Sequence, residues 1–178
     1  MPSNKSVKRN LELIEKDTSK VLGLKISTKT IAPGMYIPKA EAQSPPELSF
    51  AVPSPTSTYI VIGLDIDAPF PSFDLLGPIL HWIQPGLKVT PSDSGLAVLS
   101  SSEPFVANYI GPAPPPLGGP HRYIFFLYEQ PNDFDGKKYA PPGGKTLGNF
   151  DRMRYDLDAF EKEARLGPAL AVNYFKSN

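Results

Sequence analysis

Short apolar runs separated by proline and glycine make up most of the chain, and only its two ends carry a helical rhythm. Near the amino end Val7, Leu11, Ile14, Thr18 and Val21 recur in alternating steps of four and three, which stacks them on one side of a helix. Lys8, Arg9, Glu12, Glu15 and Lys16 fall on the other side. The pattern predicts an amphipathic helix over about Ser6 to Leu22, with Gly23 as its stop. A helix of this kind either packs on a domain edge or serves as an arm that docks onto a partner. Toward the carboxyl end Leu157, Phe160 and Ala164 give a shorter helical face, with Asp156 as cap and Gly167 as stop.

Between these ends the rhythm is that of strands. Leu24–Thr28, Glu47–Val52, Tyr59–Asp65, Ile79–Ile83 and Arg122–Glu129 read as strands, and Leu170–Phe175 as the last one. Tyr59–Asp65 is rich in β-branched residues and apolar almost throughout, which predicts burial on both faces. Proline and glycine bracket the central runs, so their chemistry lies at strand ends held by stiff loops. No repeat or low-complexity linker breaks the pattern. It predicts one domain over residues 1–178, with a helical arm at 1–23 and a mainly β core at 24–178.

Composition narrows the choice. A chain of 178 residues can bury roughly two-thirds of its surface on folding. Its 22 prolines and 14 glycines would suit a disordered chain, but 40% hydrophobic and 11% aromatic residues do not. The 18 basic side chains match 18 acidic ones, leaving no excess to neutralise a phosphate backbone, which argues against a nucleic-acid partner. Without cysteine there are no disulfides, thiolate metal sites or cysteine nucleophile. No apolar run reaches the roughly 18–20 residues that cross a bilayer. Glutamates, not an apolar stretch, follow the first basic residues, so the segment lacks the form of a secretory leader and a cytoplasmic location is expected.

Both histidines of the chain sit in dense motifs. His81 opens His81-Trp82, downstream of Asp65-Ile66-Asp67-Ala68-Pro69. His121 opens His121-Arg122-Tyr123, just behind Gly111-Pro112-Ala113-Pro114-Pro115 and the glycines that follow it. Imidazole changes charge near neutral pH and carboxylates are its usual partners, so these segments point to one polar pocket. Asp65, at the strand end, is the better pocket residue, and Asp67 is expected to cap its own turn. In the Gly111 loop only Gly111 and Ala113 have an N–H to offer an anion. His121 and Tyr123 alternate with Arg122 and should share one face, Tyr123 adding a phenolic donor. Two histidines without a third ligand at metal-like spacing do not make a metal site. Neither a Gly-x-Ser-x-Gly elbow nor a phosphate-binding Walker loop is present.

In this order the four motifs resemble the phosphatidylethanolamine-binding protein family, most of all its fungal carboxypeptidase Y inhibitor type. The resemblance runs from about Gly34 to Phe175 and includes the closing Gly167-Pro168-Ala169-Leu170-Ala171-Val172-Asn173-Tyr174-Phe175. It implies a mainly β fold, a sandwich of two sheets with peripheral amino- and carboxyl-terminal helices, and a cis peptide near the first motif. It also implies a small anion pocket for a phosphate or carboxylate head group, lined by Asp65, Asp67, Pro69, His81, Gly111, Ala113, His121 and Tyr123. The chain departs from the family at Ile66, where proline is usual, and at Phe70-Pro71-Ser72-Phe73, which reads as a more apolar mouth. Gln84 before Pro85-Gly86 and Pro120 before His121 are further departures.

The expected function is a binding or regulatory one, without metal or cofactor. The ligand would be a small anion or phospholipid-like molecule, and a protease or kinase partner would be met through the amino-terminal helix. The alternative is an enzyme in which Asp65, His81, His121 and Tyr123 perform acid–base chemistry, an isomerisation or cyclisation, on a small, partly apolar metabolite.

Overall fold

A computed structural model of the chain describes residues 5–69, 76–90, 97–116 and 118–178. The expected apolar mouth at Phe70 and Phe73 lies outside them. Nine strands are described: β1 (Gly23–Ile26), β2 (Lys29–Thr30), β3 (Met35–Tyr36), β4 (Glu47–Ser49), β5 (Tyr59–Asp65), β6 (Ile79–Thr90), β7 (Val98–Ser100), β8 (His121–Glu129) and β9 (Ala171–Ser177). Three α-helices accompany them: α1 (Lys5–Lys16), α2 (Asn149–Arg152) and α3 (Leu157–Glu163). The strands hydrogen-bond in the order β2-β1-β4-β7-β6-β5-β8-β9-β3.

β6 is the strand that turns this series into two facing sheets. Its first part, up to Leu87, pairs with β5, and Lys88–Thr90 pair with β7. At the join, Pro85-Gly86 forms a bulge, and Gly86 takes φ +74°, with Glu103 packed so close that a Cβ would collide with it. The two sheets then enclose one apolar cluster, to which Leu24, Ile26, Leu48 and Leu99 contribute from one side and Val61, Phe125, Leu127 and Phe175 from the other. The expected sandwich is the observed one.

Alternation along β5 and β8 explains their unbroken apolar texture. Ile60, Ile62, Leu64, Ile124, Phe126 and Tyr128 join a second cluster, together with Val7 and Ile14 of α1 and Leu157 and Phe160 of α3. Every residue of β5 is therefore buried, one set between the sheets and the other beneath helices. The three-layer centre makes an antiparallel pair look like the interior strands of a parallel sheet.

The amino-terminal segment is part of this packed body. The helix ends at Lys16, because Asp17 takes the backbone and hydroxyl of Ser19 and starts a short 3₁₀ turn at Thr18–Lys20. Thr18 is therefore outside the helical face that the sequence suggested. Leu22 is fully buried, its N–H donates to the Val172 carbonyl, and its own carbonyl accepts from Asn173. Gly23 stops no helix. It opens β1, where a Cβ would lie 2.1 Å from Ser49 Oγ. Asp156 caps α3 as expected, through the Ala159 N–H at 2.9 Å. The end of α3 differs, since Arg165, with φ 56°, takes the left-handed position expected of Gly167. Strands β2, β3 and β7 have only two or three residues each and escaped the sequence pattern.

Candidate functional site

Strand direction gathers the site. β5 lies between β6 and β8 and runs antiparallel to both, so its last residue meets the first residues of its neighbours. Asp65 stands opposite Ile79 on one side and Tyr123 on the other. A bulge then re-aims His81. Gly63 pairs with Trp82 and Leu64 with Leu80, leaving His81 as the extra residue. Residues 106–110 run beside the outer edge of β6, with the Ile110 N–H donating to the His81 carbonyl at 2.9 Å. That edge delivers the Gly111 loop to the same place.

The result is a cavity of about 280 Å³, bordered by Asp65, His81, His121, Arg152, the Pro69 and Gly111–Pro115 loops, and apolar side chains including Ile79, Ile110 and Met153. The Ala68–Pro69 and Gly77–Pro78 peptides are cis, as the resemblance implied for the first motif. Asp65, Pro69, His81, Gly111, Ala113 and His121 are thus brought together. Asp67 and Tyr123 do not border the cavity.

Asp65 joins two jobs. One oxygen accepts the Asp67 N–H at 2.9 Å and the other meets His121 Nδ1 at 2.8 Å. The turn is therefore capped by Asp65, and the expectation that Asp67 would cap it is corrected. Asp67 instead grips Arg122, accepting its backbone N–H, Nε and Nη2 at 2.7–2.8 Å. That pair fixes the start of β8 from the outside. Tyr123 shares the His121 side of the strand but sits one layer deeper, its ring edge-on to His81 at 5.0 Å and stacked on Phe175 at 5.4 Å. Its buried hydroxyl makes no hydrogen bond of normal length among the described residues, and burial together with the nearby Asp65 charge pushes its pKa up.

The two histidines are driven apart in charge. For His81 burial disfavours the cation most, pushing its pKa down. Its Nδ1 stands 2.7 Å from the Ile110 carbonyl, which can only accept, so Nδ1 carries the proton and Nε2 is the basic nitrogen. For His121 burial opposes the cation too, but the hydrogen bond and charge of Asp65 outweigh it and the pKa is raised. His121 Nε2 is buried and has no hydrogen-bond partner within normal distance among the described residues, while the Pro69 carbonyl nearby adds to what favours the cation. One wall thus sets an imidazole whose cation Asp65 favours beside one whose neutral form burial favours.

Sequence reasoning missed Arg152. It is fully buried, at 0% exposure, and borders the cavity. Its Nε donates to Leu147 O at 3.2 Å, Nη1 to Leu80 O and Asn108 O at 3.0 and 3.1 Å, and Nη2 to Asn108 Oδ1 at 2.6 Å. All are neutral acceptors. The available signal was weak: an arginine at the end of the four-residue α2 gives no sign in sequence of which strand ends it reaches. Gly111 also has a reason the motif did not show. A Cβ there would lie 2.6 Å from Gln43 Oε1, and Gln43 Nε2 donates to Pro112 O. Glycine at this position lets Gln43 brace the loop. Among the described residues no three His, Asp or Glu side chains gather as metal ligands do.

Comparison with known proteins follows the same lines. Over 174 residues, 84% of this chain and 79% of the relative, the chain is 29% identical to the carboxypeptidase Y inhibitor of Saccharomyces cerevisiae. It is 38% identical over 102 residues to the phomoidride biosynthesis cluster protein N of Talaromyces stipitatus, a match covering 55% of this chain and about half, 48%, of that protein. Among solved structures, carboxypeptidase Y inhibitor complexed with its cognate proteinase superposes with a TM-score of 0.74 at 26% identity, covering 97% of this chain and 93% of that one. The Plasmodium vivax phosphatidylethanolamine-binding protein shares the fold, with a TM-score of 0.62 at 18% identity. The family model for phosphatidylethanolamine-binding protein matches residues 27–175, and the chain belongs to that family.

Proposed function

We propose that the protein is a regulatory binding protein whose cavity holds an anionic group and whose surface restrains a serine carboxypeptidase. The observation that carries the ligand half is the buried His121 Nε2, without a hydrogen-bond partner among the described residues, on a ring whose cation Asp65 favours. A cationic donor without an acceptor is stabilised by an incoming phosphate or carboxylate oxygen. The relation to an inhibitor solved with its cognate proteinase supports the partner half. Calorimetric titration with inorganic phosphate tests the cavity. Binding that weakens at least tenfold in His121→Ala is expected, and equal affinity in both proteins would remove the site.

The partner half is tested by inhibition of a vacuolar-type serine carboxypeptidase. Deleting residues 1–22 would unseat Val7, Ile14 and Leu22, all buried, and confuse inhibition with unfolding. Charge reversal at the exposed Lys8 and Lys16 of α1 leaves the core intact. Weaker inhibition by this variant assigns the contact to α1, whereas no inhibition by wild-type protein refutes the partner.

A second reading, an enzyme, is favoured by the opposed shifts of the two histidines. A His121 whose cation is favoured and a His81 whose neutral form is favoured, on one cavity wall, form the arrangement of a general acid and a general base. The likeness to a protein named for a biosynthesis cluster supports a metabolite as substrate. The test is mass spectrometry of a copurifying small molecule before and after incubation. Conversion by wild type and loss of it in folded His81→Ala and His121→Ala are expected for an enzyme, and unchanged conversion in both variants eliminates it.

A further inference from the structure

Arg152 is a fully buried guanidinium with no carboxylate partner among the described residues. Its four hydrogen bonds, all to carbonyl or amide oxygens, satisfy polarity and leave the charge uncompensated, a costly state inside a protein. They use four of its five N–H groups. The remaining N–H and His121 Nε2, which has no hydrogen-bond partner of normal length among the described residues, belong to residues bordering the same cavity. Asp65 is the only acidic side chain on the described lining, and its oxygens already serve His121 and the Asp67 N–H. The rest of the lining is largely hydrocarbon: Pro69, Leu76, Ile79, Ile110, Pro114 and Met153.

From these features we infer that Arg152 is a specificity residue, and that the cavity selects a small carboxylate with an apolar body over a zwitterionic phosphoethanolamine head group. The carboxylate answers the charge of Arg152 and the donor of His121. Its hydrocarbon part lies against the proline and aliphatic walls. A phosphoethanolamine would bring an ammonium to a wall whose one carboxylate is already committed. The inference rests on the anion-pocket reading above and names its ligand class.

The experiment is calorimetric titration of the full chain with octanoate, 1-octanol, O-phosphoethanolamine and inorganic phosphate, in wild type and Arg152→Gln. Octanoate should bind at least tenfold more tightly than 1-octanol and than O-phosphoethanolamine. In Arg152→Gln octanoate should lose at least tenfold while 1-octanol is unchanged, a split that a purely bracing role would not produce. If Arg152→Gln fails to fold, Arg152→Lys, which keeps the charge, should retain the preference for octanoate over 1-octanol. Equal binding of octanoate and 1-octanol by the wild type would overturn the inference, as would octanoate affinity unaffected in a folded Arg152→Gln. Phosphate or O-phosphoethanolamine binding without octanoate binding overturns it and spares the anion pocket. No binding of any anion overturns both.

Discussion

Replacing Asp65 by Asn changes one charge at the centre of the site and little else. The amide oxygen can still accept the Asp67 N–H, so the turn survives, and the Asp67–Arg122 pair is untouched. What disappears is the charge-assisted bond to His121 Nδ1 at 2.8 Å between two almost fully buried groups. Such a bond contributes about 1.5–3 kcal/mol, against about 0.5–1.5 for a neutral one. Because His121 is protonated more readily folded than unfolded, its contribution is complete below its ordinary value of 6.5. It is lost as pH rises through the raised folded pKa. Asp65→Asn should therefore cost about 1.5–3 kcal/mol at pH 6 and about 1 kcal/mol less once His121 is neutral. Urea denaturation across pH 5.5–8.5 measures this. With only two histidines in the chain, imidazole NMR titration reads the protonation directly. Wild type should show one midpoint above 6.5 and one below, and the variant should lose the higher one. A His121 midpoint that stays high in Asp65→Asn, or a stability cost independent of pH, refutes the assignment of Asp65 as the group that charges His121.

Three further outcomes test the scaffold. His81, with its lowered pKa, gives the opposite linkage: its contribution is whole above 6.5 and lost as pH falls toward the folded value, so His81→Gln should flatten the acid side of the stability profile. Gly23→Ala places a Cβ 2.1 Å from Ser49 Oγ and 2.7 Å from Ser49 O, and should cost about 1–3 kcal/mol in urea midpoint experiments. Removing residues 1–22 discards the buried Val7, Ile14 and Leu22 at about 1.5–3 kcal/mol each, a loss comparable with the whole stability of a domain. Circular dichroism should find the truncated chain unfolded, and a native spectrum would show the arm to be dispensable.

Local pattern by itself determined the strands that matter most. Tyr59–Asp65 was read with the ends it has, because a continuous β-branched run bounded by turn formers leaves few alternatives. Asp156 announced α3 for the same local reason, a side chain capping a nearby N–H. The resemblance carried by four motifs in order added the sandwich and most of the cavity, including Asp65, Pro69, His81, Gly111, Ala113 and His121. Tertiary structure decided the rest. Asp65 and Asp67 are two residues apart and chemically alike, yet one faces His121 and the other Arg122, since only the turn between them sets their directions. Tyr123 left the cavity lining because the aromatic stack on Phe175 holds it a layer below. The His81 bulge depends on the register of β5 against β6, a long-range quantity. Arg152 became part of the site only when Leu80, Asn108 and Leu147, distant from it or from one another in sequence, brought their oxygens to one point. Pattern records what a residue does with its neighbours along the chain, whereas the charge and selectivity of this cavity arise where separate strand ends converge.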